Sequence, residues 1–203
     1  MKLILMLVLM ASMAQAGQGG GNGGGSVVCR DEKNLIQRAE LLDLFEGRVL
    51  YKRNYNRNLT PKEYFSRVEE RLNDWPGFKA RYLDVLAYIQ DYMILVDDGH
   101  VLSRTDDVDV LVMEKGCQYE QLANYTDIGE IFVSDEIYSF LGDLGRTGLI
   151  VHEAIYYLFR QNESHKERVM DARRLTGQLM AEIINKTIID AVMARHGLKK
   201  EEK

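Results

Sequence analysis

Any chemistry in this chain would start at His152-Glu153, inside the apolar run Thr147–Arg160 (TGLIVHEAIYYLFR). An imidazole can ligate a metal or move a proton, and a carboxylate beside it can activate a bound water. If the run is helical, the residue one turn beyond His152 is Tyr156. That position faces the same way as His152, and a phenol that stays protonated at neutral pH is a poor metal ligand. His152, Glu153 and Tyr156 are thus the candidate catalytic residues, while the spacing assigns no metal and no cofactor. A structural role is the stronger expectation. A His and a Glu in so apolar a helix must find partners or cost a few kcal/mol. Arg173 or Arg174, on the next helical stretch, is the expected source for Glu153, and Gly177 one turn on would let that helix approach closely.

Two other stretches gather suggestive residues. Asp97-Asp98-Gly99-His100 and Asp106-Asp107-Val108-Asp109 are rich in carboxylates, but they lack the alternate-position series and distant Glu of a calcium loop. They read as solvated turns. Tyr51–Asn58 (YKRNYNRN) interleaves cations with aromatics, as stacking platforms for sugars or single strands do, and equally resembles an ordinary polar loop.

The elements that must hold these residues begin with an export signal. Met1-Lys2, the apolar block Leu3–Met10 and Ala14-Gln15-Ala16 have the layout of a signal peptide over residues 1–16. The block is too short to span a bilayer, which takes about 20 residues, so a soluble periplasmic or extracellular protein is expected. Gly17–Gly25 (GQGGGNGGG) offers no side chain to bury and reads as a flexible tether. Residues 26–198 then form one domain, and 199–203 a charged tail. The net charge of −5 argues against a nucleic-acid partner, leaving a protein or cell-envelope component. Cys29 and Cys117 are the only cysteines, and in an oxidising compartment they should form one structural disulfide.

Within the domain, Val27–Arg30 suits a strand in a hairpin with Leu35–Ala39, and Glu40–Arg48 a short helix. Thr60-Pro61-Lys62-Glu63 is a helix start with cap, N1 proline and capping-box Glu, running to about Asn73. Phe78–Val96 carries an apolar stripe for a second helix. Val110–Met113, Gln118–Asn124 and Gly129–Val133 read as strands, Glu136–Leu144 as a short helix. After the central helix, Ser164-His165-Lys166-Glu167 is a second capping box, and Ile183–Arg195 a last helix stopped at Gly197. The fold class is α+β: a mostly helical single domain with a small antiparallel sheet.

Leu149-Ile150-Val151 followed by His152-Glu153 resembles the metal-binding helix of zinc metallopeptidases, with Tyr156 in place of the second histidine. That resemblance implies a divergent zincin-like hydrolase acting on peptides or cell-wall material, with Glu153 as the base. A second resemblance spans nearly the whole mature chain. The Gly-rich start, Val28-Cys29-Arg30, ELLDLFEG, Lys115-Gly116-Cys117, LIVHEAIYYLFR and the downstream RRLTG look like secreted proteins of predatory, Bdellovibrio-type bacteria that carry no assigned activity. This similarity implies an exported protein with the HEAIY-type helix as its signature. The residues favour an exported binding or structural component over an enzyme.

Overall fold

The computed structural model describes residues 21–22, 24–97, 102, 113–125, 129–160 and 165–200. After the two-residue strand β1 (Gly21–Asn22), β2 (Gly25–Arg30) and β3 (Ile36–Leu41) form the expected hairpin. Asp31 builds its turn: Oδ1 accepts from the Lys33 and Leu35 N–H groups at 2.9 Å each, and Asn34 takes the left-handed conformation (φ 64°) that short polar side chains tolerate. α1 (Leu42–Tyr51) follows without a break. α2 (Pro61–Arg71) starts as its sequence requires, with the Thr60 and Glu63 side chains satisfying each other's backbone N–H.

α3 (Pro76–Tyr92) is shorter than its apolar stripe suggests. At Met93 the backbone turns extended, and Met93–Val96 becomes β4, pairing in parallel with Ile131–Ser134. Tertiary pairing overrides the helical periodicity for these four residues. β5 (Cys117–Gln121), β6 (Ala123–Tyr125) and β7 (Ile131–Ser134) then lead into α4 (Asp135–Phe140), capped by Ser134. The central helix α5 begins earlier than expected, at Gly142, and runs to Phe159. α6 (His165–Met180) and α7 (Lys186–Arg195) complete the chain, with Asn185 capping α7. Residues 98–100 and 103–112, which carry most of the acidic cluster and nearly all of the Val110–Met113 strand, lie outside the described residues, as does Ser164 of the second capping box.

The class is α+β and mostly helical, but the strands make two sheets. One has the order β3-β2-β5 and is antiparallel throughout. The other has the order β1-β6-β7-β4, with the parallel β4–β7 pair at one edge. Cys29 and Cys117 face each other across β2 and β5 and are joined by a disulfide. Arg30, next in β2, grips two carboxylates in bidentate fashion: Glu120 on β5 and Glu136 on α4, with all four contacts at 2.8–2.9 Å. Such forks are the strongest class of side-chain hydrogen bond, and this one locks a sheet to a helix.

At Gly21, Asn22, Gly24 and Gly25 the Gly-rich run is paired into the fold and is not a free tether. Gly21 and Asn22 pair with Tyr125 and Asn124, the Gly24 carbonyl accepts from Leu122 and Ala123, and Gly25 opens β2. Its lack of side chains, read as an inability to bury anything, is what admits the backbone to a crowded place. Strand pairing therefore begins upstream of residue 26.

α5 sits at the centre, packed against α3, α6, α2 and α1. Leu149, Val151, Ala154 and Ile155 are fully buried. At roughly 1.5–3 kcal/mol for each large aliphatic side chain, this helix is a main source of hydrophobic stabilisation. α7 is tied to α6 by Asp171, which accepts from Arg195 Nε at 2.9 Å and pairs with His196 Nε2 at 3.2 Å. Burial opposes charge on Asp171, but the His196 and Arg195 hydrogen bonds hold its pKa down at about 2.

The candidate site around His152 and Glu153

α1 supplies what the central helix needs. Asp43 and Glu46 lie one turn apart on its buried face, and α5 and α6 each answer with one cation. His152 Nδ1 donates to Asp43 Oδ2 at 2.7 Å, between side chains 1% and 0% exposed. Arg173 Nε lies 3.4 Å from Glu46 Oε2, with both side chains buried. Opposite charges thus cross the helix interfaces in pairs.

Burial disfavours the His152 imidazolium, but the charge and hydrogen bond of Asp43, with Glu153 nearby, more than offset it and raise the pKa to about 9. At neutral pH His152 is a buried cation and not a poised base. Burial raises the pKa of the Glu153 carboxyl above its ordinary value, against the opposing pull of His152 and of the Gly24 N–H.

Glu153 Oε1 accepts from the Gly24 N–H at 2.7 Å. The pairing of Glu153 with Arg173 or Arg174 expected from the sequence is therefore corrected. Arg173 goes to Glu46, while Arg174 reaches Asp171 and the Tyr51 hydroxyl. The physical reason is reach and supply: an N–H from a backbone without side chains approaches Glu153 directly, and α1 offers the arginine a carboxylate of its own. Gly177 does permit a close approach, but of α6 to α1, since a Cβ there would lie 2.9 Å from the Asp43 carbonyl oxygen.

Tyr156 is buried, its ring near those of His152 (centroids 6.2 Å) and Tyr125 (5.6 Å). Tyr125 in turn donates its hydroxyl to the Glu153 carbonyl at 2.9 Å. The zinc site implied by the metallopeptidase resemblance needs three side-chain ligands and an open position. The residues here do not fit it. Position 156 gives a packed phenol, and His196 is taken up by Asp171 and stacked on Phe159. Among the described residues no three His, Cys, Asp or Glu side chains are grouped to hold a metal ion. Both tyrosines of the Tyr51–Asn58 run are engaged internally: Tyr55 donates to the Gly177 carbonyl and Tyr51 accepts from Arg174.

Gly24 offers a direct check on this arrangement. A Cβ there would meet Leu149 Cδ1 at 2.6 Å and Glu153 Oε1 at 3.1 Å. Gly24→Ala is expected to cost about 1–3 kcal/mol by overpacking. Urea unfolding of the variant measures it, and an unchanged midpoint would refute the tight fit.

Asp43, Glu46 and Gly24 escaped the sequence reading, although a signal existed for the first two. Acids one turn apart among Leu41, Leu42, Leu44 and Phe45 cannot all be solvated if that face is core. No protein-family profile, curated protein or solved structure matches this chain.

Proposed function

We propose that the protein is an exported binding or structural component whose His-Glu helix has a structural role, fastening the N-terminal strand and α1 to the core. The observation that carries this reading is that His152 and Glu153 are both 0% exposed and committed to Asp43 and Gly24. A hydrolytic base must reach substrate or a substrate-bound water. The Cys29–Cys117 bridge supports export to an oxidising compartment. No helix among the described residues is long and apolar enough to cross a membrane. The acidic balance favours a protein or cell-envelope partner over a nucleic acid.

Elemental analysis of protein purified without added metal tests the reading, alongside Glu153→Gln. The expected results are no stoichiometric zinc and a stability loss of only about 1 kcal/mol, because the amide oxygen of Gln can still accept from Gly24. Near-stoichiometric zinc, with a peptidase activity abolished by the same substitution, would overturn it in favour of the zincin-like hydrolase.

A further inference from the structure

A cleft of about 440 Å³ lies between the β3–α1 corner and the α4–α5 junction. We propose that it binds a zwitterion, a free amino acid or short peptide, with Arg57 holding the carboxylate and Asp143 the ammonium group. The proposal rests on the binding reading above and gives it a site and a ligand class.

The charges around the cleft sort into used and unused. Arg48 closes on Glu40 through two hydrogen bonds (2.6 and 3.2 Å), and Arg38 on Glu114 at 2.9 Å. Each of these pairs is neutral. Arg57 and Asp143 also line the cleft, are exposed, and have no ion-pair partner among the described residues. They come from separate elements, the loop before α2 and the first turn of α5. A simple anion would meet Asp143, and a simple cation would meet Arg57. A ligand with one charge of each sign satisfies both, and charge-assisted hydrogen bonds at its two ends fix its direction. Leu44, Leu141 and Leu144 line the same cleft and give an apolar side chain something to rest on. The volume falls within the range of small-ligand sites.

The test uses the full chain and leucyl-leucine as the calorimetric probe, with N-acetyl-leucyl-leucine lacking the ammonium group and leucyl-leucinamide lacking the carboxylate. Leucyl-leucine is expected to bind saturably, and loss of either terminal charge to weaken it about tenfold. Arg57→Gln should weaken leucyl-leucine about as much and no longer distinguish it from the amide. Asp143→Asn should do the same and no longer distinguish it from the acetylated form. Both residues are exposed, so melting temperatures should match the parent protein. Absence of saturable heat, or variants that discriminate as the parent does, would overturn the proposal. A protein that ignores the dipeptide yet contains no zinc leaves the structural role of His152 and Glu153 standing and removes only this site.

Discussion

Asp43→Ala should lower stability by about 3–5 kcal/mol, the loss expected when a buried charge is stripped of its partner. The His152 side chain is 1% exposed and its Nδ1 is bonded to Asp43 Oδ2 at 2.7 Å, so no solvent stands ready to take over. Asp43→Asn separates charge from shape. An Asn oxygen can still accept from Nδ1–H, so the fold survives, but the imidazole no longer gains from a carboxylate. The pH profile then identifies the interaction. The His152 pKa is raised in the folded protein to about 9 from an ordinary 6.5, so its contribution is complete below pH 6.5 and is lost as pH rises through about 9. For a fully buried group this amounts to roughly 3 kcal/mol. Glu153 has the same sign: its raised carboxyl pKa makes stability fall as pH climbs through the range above its ordinary value. Asp171 acts at the other end, where its depressed pKa gives stability that is lost as pH falls from 3.8 through about 2. Urea unfolding from pH 6 to 10 should therefore show an alkaline decline in the parent protein that is much reduced in Asp43→Asn. An equal decline in both would place the alkaline transition elsewhere.

How much of this was legible in the sequence depends on the range of the interaction. Local signals held: the Thr60 capping box and the stop at Gly197 both act within a few residues. The paired cysteines were legible because the sequence holds only two, so a bridge has a single possible connectivity. Long-range pairing was not. Met93–Val96 reads as the end of a helix until β7 is placed beside it, and Gly24 reads as linker until Glu153, 129 positions away, is found to need its N–H. The demand for partners at His152 and Glu153 was sound physics, but the direction of supply was not fixed by it. Arginines near in sequence looked sufficient, whereas the carboxylates of α1 and a bare backbone N–H lay nearer in space. Buried polar groups announce that partners exist, and only the topology says which.

Removing the disulfide is the other perturbation with a large expected effect. Cys29 and Cys117 are 88 residues apart, and the loop they close contains β3, α1, α2, α3 and β4. In the chain-entropy account a loop of that length restrains the unfolded state by roughly 4–5 kcal/mol. The folded side has its own fastening at the same place. Arg30, adjacent in β2, holds Glu120 of β5 and Glu136 of α4 through four hydrogen bonds, and β2 is paired on both flanks. Cys29→Ser with Cys117→Ser should accordingly leave the native arrangement intact while lowering the unfolding free energy by about 4 kcal/mol. That is a large part of the roughly 5–15 kcal/mol typical of a domain, so the variant should fold at low temperature and melt early. Adding Arg30→Met to the double serine variant should then weaken the β2–β5 edge further, leaving there the strand pairing, the Ser26 hydroxyl bond to the Glu120 carbonyl and the packing of the Val27 cluster against Tyr119. Equilibrium urea curves for the three proteins decide it. A double serine variant within 1 kcal/mol of the parent, on the scale of ordinary single substitutions, would mean that the unfolded chain already keeps β2 and β5 close without the bridge.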